Sequence, residues 1–144
     1  MVRGETMSTP LILAIGIGCR LNCSAAAIAD LVEAAVAKVP GGALAEKALF
    51  TIIHKRGQAC MADAALLLGA KLHFLPAEAL QAVMSLVQTR SERAKSLFGV
   101  ASVAEAAALA GAGPQARLIV LRIAAHGATC AIATPFPPGG QPSP

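Results

Sequence analysis

The chain opens its ordered part with an unbroken apolar run, Leu11 to Ile17, of strand rather than helix length, which reads as a buried strand. After the polar "GCRLNC" comes Ser24, a good helix cap, and residues 24–38 read as a helix that "PGG" at 40–42 breaks. Residues 48–53 read as a second strand. The apolar, alanine- and leucine-rich stretch 59–69 is a helix stopped by Gly69, and "KLHFL" at 71–75 alternates as a short strand. Pro76 opens the next helix at its first position, where a missing N–H costs nothing, and Glu78 favours the same end. Residues 88–98 are a basic loop. Ser102 and Glu105 form a capping box at the head of "SVAEAAALAGAG", and "RLIVLRI" with "ATCAIAT" are close enough to form a hairpin. The pattern therefore predicts an α/β fold: a single three-layer domain with a mixed, mostly parallel sheet of about five strands, helices on its faces and a C-terminal β-hairpin. The domain spans residues 10–134, between a flexible N-terminus (1–9) and a flexible, Pro/Gly-rich tail (135–144).

Composition changes this picture only in its chemistry. Hydrophobic residues make up 56% and charged residues 14%, which excludes disorder over most of the length. The net charge of +4 is concentrated in residues 47–99, with 7 bases against 3 acids. Such a bias attracts anions. Nucleic acid is not expected as the partner: there is no Tyr or Trp, only 4 Phe to stack on bases, and no dense Lys/Arg run for phosphates. No membrane partner is expected either, because the long uncharged run 123–144 is interrupted by His, Gly and Pro. Glu5 lies where a signal peptide would be basic and the apolar run after it is short, so the expectation is a cytoplasmic protein whose 4 cysteines are free thiols.

Several motifs carry candidate chemistry. "GIGCRL" at 16–21 reads as a glycine-spaced turn with two of the three glycines of a dinucleotide fingerprint, but Leu21 takes the third place and no acid ends the second strand. Cys19 and Cys23 could begin a metal site only with Cys60 and Cys130, which sit in packing contexts; no metal is assigned. "HKRG" at 54–57 follows the second strand as "GCR" follows the first. If those strands are parallel, both basic sets open at the carboxyl edge of one sheet, where α/β folds bind ligands; otherwise Lys55 and Arg56 are solvated loop charges. Arg90, Arg93, Lys95 and Ser91 add to the basic loop, which also has a purely solvated reading. Glu105 is the one carboxylate near the basic edge and a candidate general base, although capping alone accounts for it. His73 reads as a sheet-face histidine and His126 as a turn residue.

Together "ILAIGIGCR…CSA", "TIIHKRG", "LHFLPAEAL", "TRSERAKSLFGVASVAEAAAL", "RLIVLRI" and "GATCAIA" resemble the CobE family of cobalamin biosynthesis, which is also the C-terminal domain of CbiG, over residues 11–133 and in the family's order. The chain looks like the stand-alone CobE type. The family pattern falls on Gly16, Gly18, Cys19, Arg20, Lys55, Ser91, Ser102, Glu105 and Ala106. It departs where the family's lysine-x-x-glutamate appears as Lys55 with Gln58, and where a fourth-strand lysine appears as Arg122. The resemblance implies a precorrin or corrinoid ligand, possible contact with another cobalamin-pathway enzyme, and no cofactor. A polycarboxylate tetrapyrrole needs scattered cations and backbone donors around an apolar floor, for which Phe98, Leu97, Gly99 and Gly18 are candidates. The expected binding set is Gly16, Gly18, Cys19, Arg20, Lys55, Arg56, Arg90, Ser91, Ser102 and Arg122, for a carrier or accessory factor of the aerobic route. The alternative is a CbiG-like hydrolase that opens a ring A lactone and releases acetaldehyde, with Glu105 as base and Lys55 stabilising the oxyanion.

Overall fold

A computed structural model describes residues 12–19, 23–55, 57–88 and 102–135. They fold as β1 (Ile12–Cys19), α1 (Ala25–Val36), β2 (Glu46–Ile52), α2 (Ala59–Leu68), β3 (Lys71–Leu75), α3 (Ala77–Gln81), α4 (Val103–Ala112), β4 (Arg117–Ala125) and β5 (Ala128–Thr134). The strands form one five-stranded sheet in the order β3-β2-β1-β5-β4. β1, β2 and β3 run parallel, and the β4–β5 hairpin joins the other side of β1 through antiparallel β5. This is the single mixed-sheet α/β domain that the apolar pattern predicts.

Local signals act where they were expected. Ser24 Oγ accepts the Ala27 N–H at 3.0 Å to start α1, and Gly69, at φ 65°, ends α2. Pro76 is one place off the expectation. It is the extended cap of α3 rather than its first helical residue, a position that equally requires no donor. The hairpin turns on His126 and Gly127 at φ 53° and 85°, the double left-handed geometry of a two-residue turn that matches strand twist.

Alternation in the strands sorts two cores. Leu13, Ile15 and Ile17 of β1, Leu49 of β2 and Cys130 and Ile132 of β5 pack with Ile28, Val32 and Met61 of α1 and α2. On the other face Ile52 and Ala133 meet Leu80 of α3 and Ala106, Ala107, Ala108 and Leu109 of α4. α4 lies across β1 and β5 with its alanines on the sheet, and the residues beneath it are correspondingly small: Ala14, Gly16 and Gly18 of β1 and Ala131 of β5.

Here the reading of a glycine turn is corrected. Gly16 and Gly18 are strand residues, paired with Ala131 and Thr129 of β5. A Cβ on Gly16 would overlap the Ala104 carbonyl oxygen and stand 2.5 Å from the Ala108 nitrogen. The glycine is what lets the backbone of α4 touch the backbone of β1. The same close fit recurs at Gly111, where a Cβ would stand 2.5 Å from the Phe50 ring, itself stacked on His73 with centroids 5.0 Å apart. His73 is thus a sheet-face residue packed against its neighbour on β2.

Candidate functional site

Parallel β1 and β2 bring the two basic segments to one edge. Their ladder closes at Gly16 and Phe50, and past that point side chains hold the strands together. Thr51 Oγ1 donates to the Ile17 carbonyl at 2.7 Å, and Lys55 Nζ donates to the Cys19 carbonyl at 2.7 Å. A one-turn 3-10 helix, Ile53–Lys55, swings the lysine back over the end of β1. Thr51 is fully buried, so its replacement by the isosteric valine leaves the Ile17 carbonyl without that donor. Thr51→Val is expected to lower stability by about 1–2 kcal/mol, read by urea denaturation.

Beside this pair three thiols gather. Gln58, the residue that precedes α2, accepts with its Oε1 from Cys19 Sγ at 3.1 Å and from Cys60 Sγ at 3.8 Å. Burial, then the neighbouring Cys60, pushes the Cys19 thiol up to about 12, against the opposing pull of Lys55. Burial also raises Cys23, whose sulfur makes long contacts, 3.9 Å, to the carbonyls of Ser24 and His126 and has Cys19 as a side-chain neighbour. Cys130, deep under α1, is pushed up to about 12 by burial alone and is a packing residue. All four cysteines are free thiols, and among the described residues no three His, Cys, Asp or Glu side chains are grouped to hold a metal ion.

Two helices start at the same edge. α1 follows directly from β1, and α4 begins beside Gly18, with Val103 Cβ 3.6 Å from where a Gly18 Cβ would be. Their N-termini favour negative charge. Ser102 is buried, and its Oγ caps α4 by accepting the Glu105 N–H at 3.3 Å.

Glu105 goes elsewhere. It is fully buried; Oε1 accepts the Gln88 N–H at 2.7 Å and Oε2 the Arg122 N–H at 2.9 Å. The Arg122 amide belongs to a bulge in β4, where Leu121 and Arg122 together face Ala131 across β5. The carboxylate therefore ties α4 to the irregular edge strand and to the segment leading out of residues 84–86. Arg122 itself is on β4, three inter-strand steps from β2, or about 14 Å along the sheet from the strand that carries Lys55.

Gly18, Cys19, Lys55 and Ser102 thus meet at the carboxyl end of β1, with Gly16 one turn of α4 deeper and Arg122 apart from them. Arg20, Arg56, Arg90 and Ser91 lie outside the described residues, as do Arg93, Lys95, Leu97, Phe98 and Gly99. A groove of about 370 Å³ beside Leu109, Ala116, Arg117 and Leu118 sits toward the opposite end of β4, and its described lining includes none of the expected site residues. Residue-by-residue reading missed Thr51 and the bridging part played by Gln58. Thr51 is indistinguishable in sequence from any β-branched strand residue, whereas Gln58 was marked by its place three residues after Lys55.

Comparison with known proteins bears on what this edge serves. Residues 13–133 match the model of the family described as cobalamin synthesis G C-terminus. The fold is similar to the crystal structure of CobE, a protein from the cobalamin (vitamin B12) biosynthetic pathway, with a TM-score of 0.78 and 34% identity over 90% of this chain and 96% of that one. It is also similar to the cobalamin biosynthesis protein chiG from Agrobacterium tumefaciens str. C58, with a TM-score of 0.62 and 32% identity over 85% of this chain and 97% of that one. No curated protein matches.

Proposed function

The chain belongs to the cobalamin synthesis G C-terminus family, the CobE/CbiG family of cobalamin biosynthesis, and from that premise we propose that it binds a polycarboxylate, precorrin-type tetrapyrrole at the carboxyl edge of β1 and β2. It serves as a carrier or accessory factor for a neighbouring enzyme of the aerobic pathway, in the cytoplasm. The observation that supports this most is the meeting of Lys55 with the end of β1, its ammonium 2.7 Å from the Cys19 carbonyl. That contact joins the end of β1 to the segment after β2, and Arg20 and Arg56, the sequence neighbours of Cys19 and Lys55, are proposed as further cations for a shared anionic ligand. Two helix N-termini face the same way and add backbone N–H groups for carboxylates. Arg90, Ser91 and Arg122 are proposed as the remaining members of the set, since a large macrocycle carries its acids around a wide periphery. Among the described residues no helix is long and apolar enough to cross a membrane.

The hydrolase alternative gains nothing from Glu105. A general base must reach a water or a substrate proton, and this carboxylate is sealed in the core with both oxygens on backbone amides. Ligand binding without turnover is the simpler chemistry for a site in which Glu105, the candidate base, is buried away from solvent.

The test is a mass spectrum of the pigment that co-elutes with the protein after incubation with pathway intermediates. Co-elution at unchanged mass is the expected result; added water or a lost two-carbon fragment would make the protein an enzyme. Lys55→Glu is expected to weaken pigment binding at least about tenfold in an absorbance titration, with far-UV circular dichroism unchanged. Affinity equal to the parent protein's would remove this edge as the binding site.

A further inference from the structure

The thiols at this edge are more than packing. Cys19 ends β1 and Cys60 lies in the first turn of α2, yet both sulfurs point at one atom, Gln58 Oε1, from 3.1 and 3.8 Å. Each also senses the other: Cys60 is a hydrogen-bond and charge neighbour of Cys19. Both are partly exposed, whereas Cys23 and Cys130 are buried. A small reagent can therefore reach this pair.

We propose that Cys19 and Cys60 are a thiol–disulfide exchange pair that takes small-molecule disulfides of the glutathione type as oxidant and closes to an internal disulfide. Cys60 is the entry point, because it lies in the first turn of a ten-residue helix, the end that attracts an anionic disulfide. Its thiolate attacks one sulfur of glutathione disulfide and forms a mixed disulfide; the glutathione thiolate leaves and takes a proton from water. Cys19 then gives its proton to solvent, attacks the Cys60 sulfur and expels the second glutathione. Two protein thiols are oxidised and one glutathione disulfide is reduced to two thiols. Closure expels the Gln58 amide from between the sulfurs and ties the end of β1 to the start of α2, on either side of the turn that carries Lys55. The pairing stands on the thiols alone and holds whatever ligand this edge takes.

Full-length protein, freed of reductant, is incubated with glutathione disulfide, alkylated and mapped by mass spectrometry. The expected product has lost two hydrogens, yields a Cys19–Cys60 linked peptide and melts roughly 10 °C higher than the reduced form, since the new bond closes a long loop. Cys19→Ser is expected to stop at a stable glutathione adduct on Cys60, and Cys60→Ser to leave Cys19 as a free thiol. Full alkylation of Cys19 and Cys60 after exposure to glutathione disulfide, or a Cys19–Cys23 link in place of the expected one, overturns the proposal.

Discussion

Gly16→Ala is expected to lower stability by at least about 3 kcal/mol, and at the upper end to leave the chain unfolded at ambient temperature. The added methyl would overlap the Ala104 carbonyl and crowd the Ala108 nitrogen, both backbone atoms of α4. A side chain could rotate away; a helix backbone can only move as a body. Moving α4 off β1 opens the whole of the second core, because Ala106, Ala107, Ala108 and Leu109 travel with it. Gly18→Ala provides the contrast. Its Cβ would stand 2.6 Å from Thr129 Oγ1, a side-chain atom, and 3.6 Å from Val103 Cβ, so a rotamer change relieves most of the strain at about 1 kcal/mol. Urea denaturation followed by circular dichroism separates the two cases. Equal stability of the two alanine variants would mean that α4 does not rest on β1 as described.

That contrast marks where the sequence is legible and where it is not. Features set by neighbours in the chain could be read directly: the Ser24 and Ser102 caps, the Gly69 stop, the "KLHFL" strand and the two-residue hairpin turn each act through residues a few positions away. Features set by distant partners could not. A glycine in an apolar run allows a turn, a bulge or a close approach, and only the position of Ala104 decides among them. For the same reason the first strand was read as ending at Ile17, when it continues to Cys19 under the cover of α4. The meeting of Lys55 with Cys19 is an intermediate case. It followed from one condition, that β1 and β2 be parallel, which the helix between them makes the natural arrangement. The thiol pair was invisible because Cys19 and Cys60 belong to elements that the sequence places in order but not in register.

Glu105 is the residue whose local and distant roles diverge most, and Glu105→Gln is expected to destabilise the fold by about 2–4 kcal/mol. Its place three residues after Ser102 made it a capping-box acid, and Ser102 Oγ does accept the Glu105 N–H. The carboxylate, however, accepts the amides of both Gln88 and Arg122, so it supplies charge-assisted bonds to two other elements from within the core. A glutamine keeps the length but has one acceptor oxygen. Whichever amide keeps that oxygen, the other faces an NH2 group, donor against donor, in a place water does not reach. The bulge in β4 makes the loss worse, because there the edge strand is irregular and Glu105 is its tie to α4. Two readouts distinguish this role from a catalytic one. For a structural staple, the denaturation midpoint falls and the protein that remains folded binds pigment as the parent does. For a general base, stability is retained and any release of a two-carbon fragment from the ligand is lost. The two buried amide contacts make the first pattern the expected one.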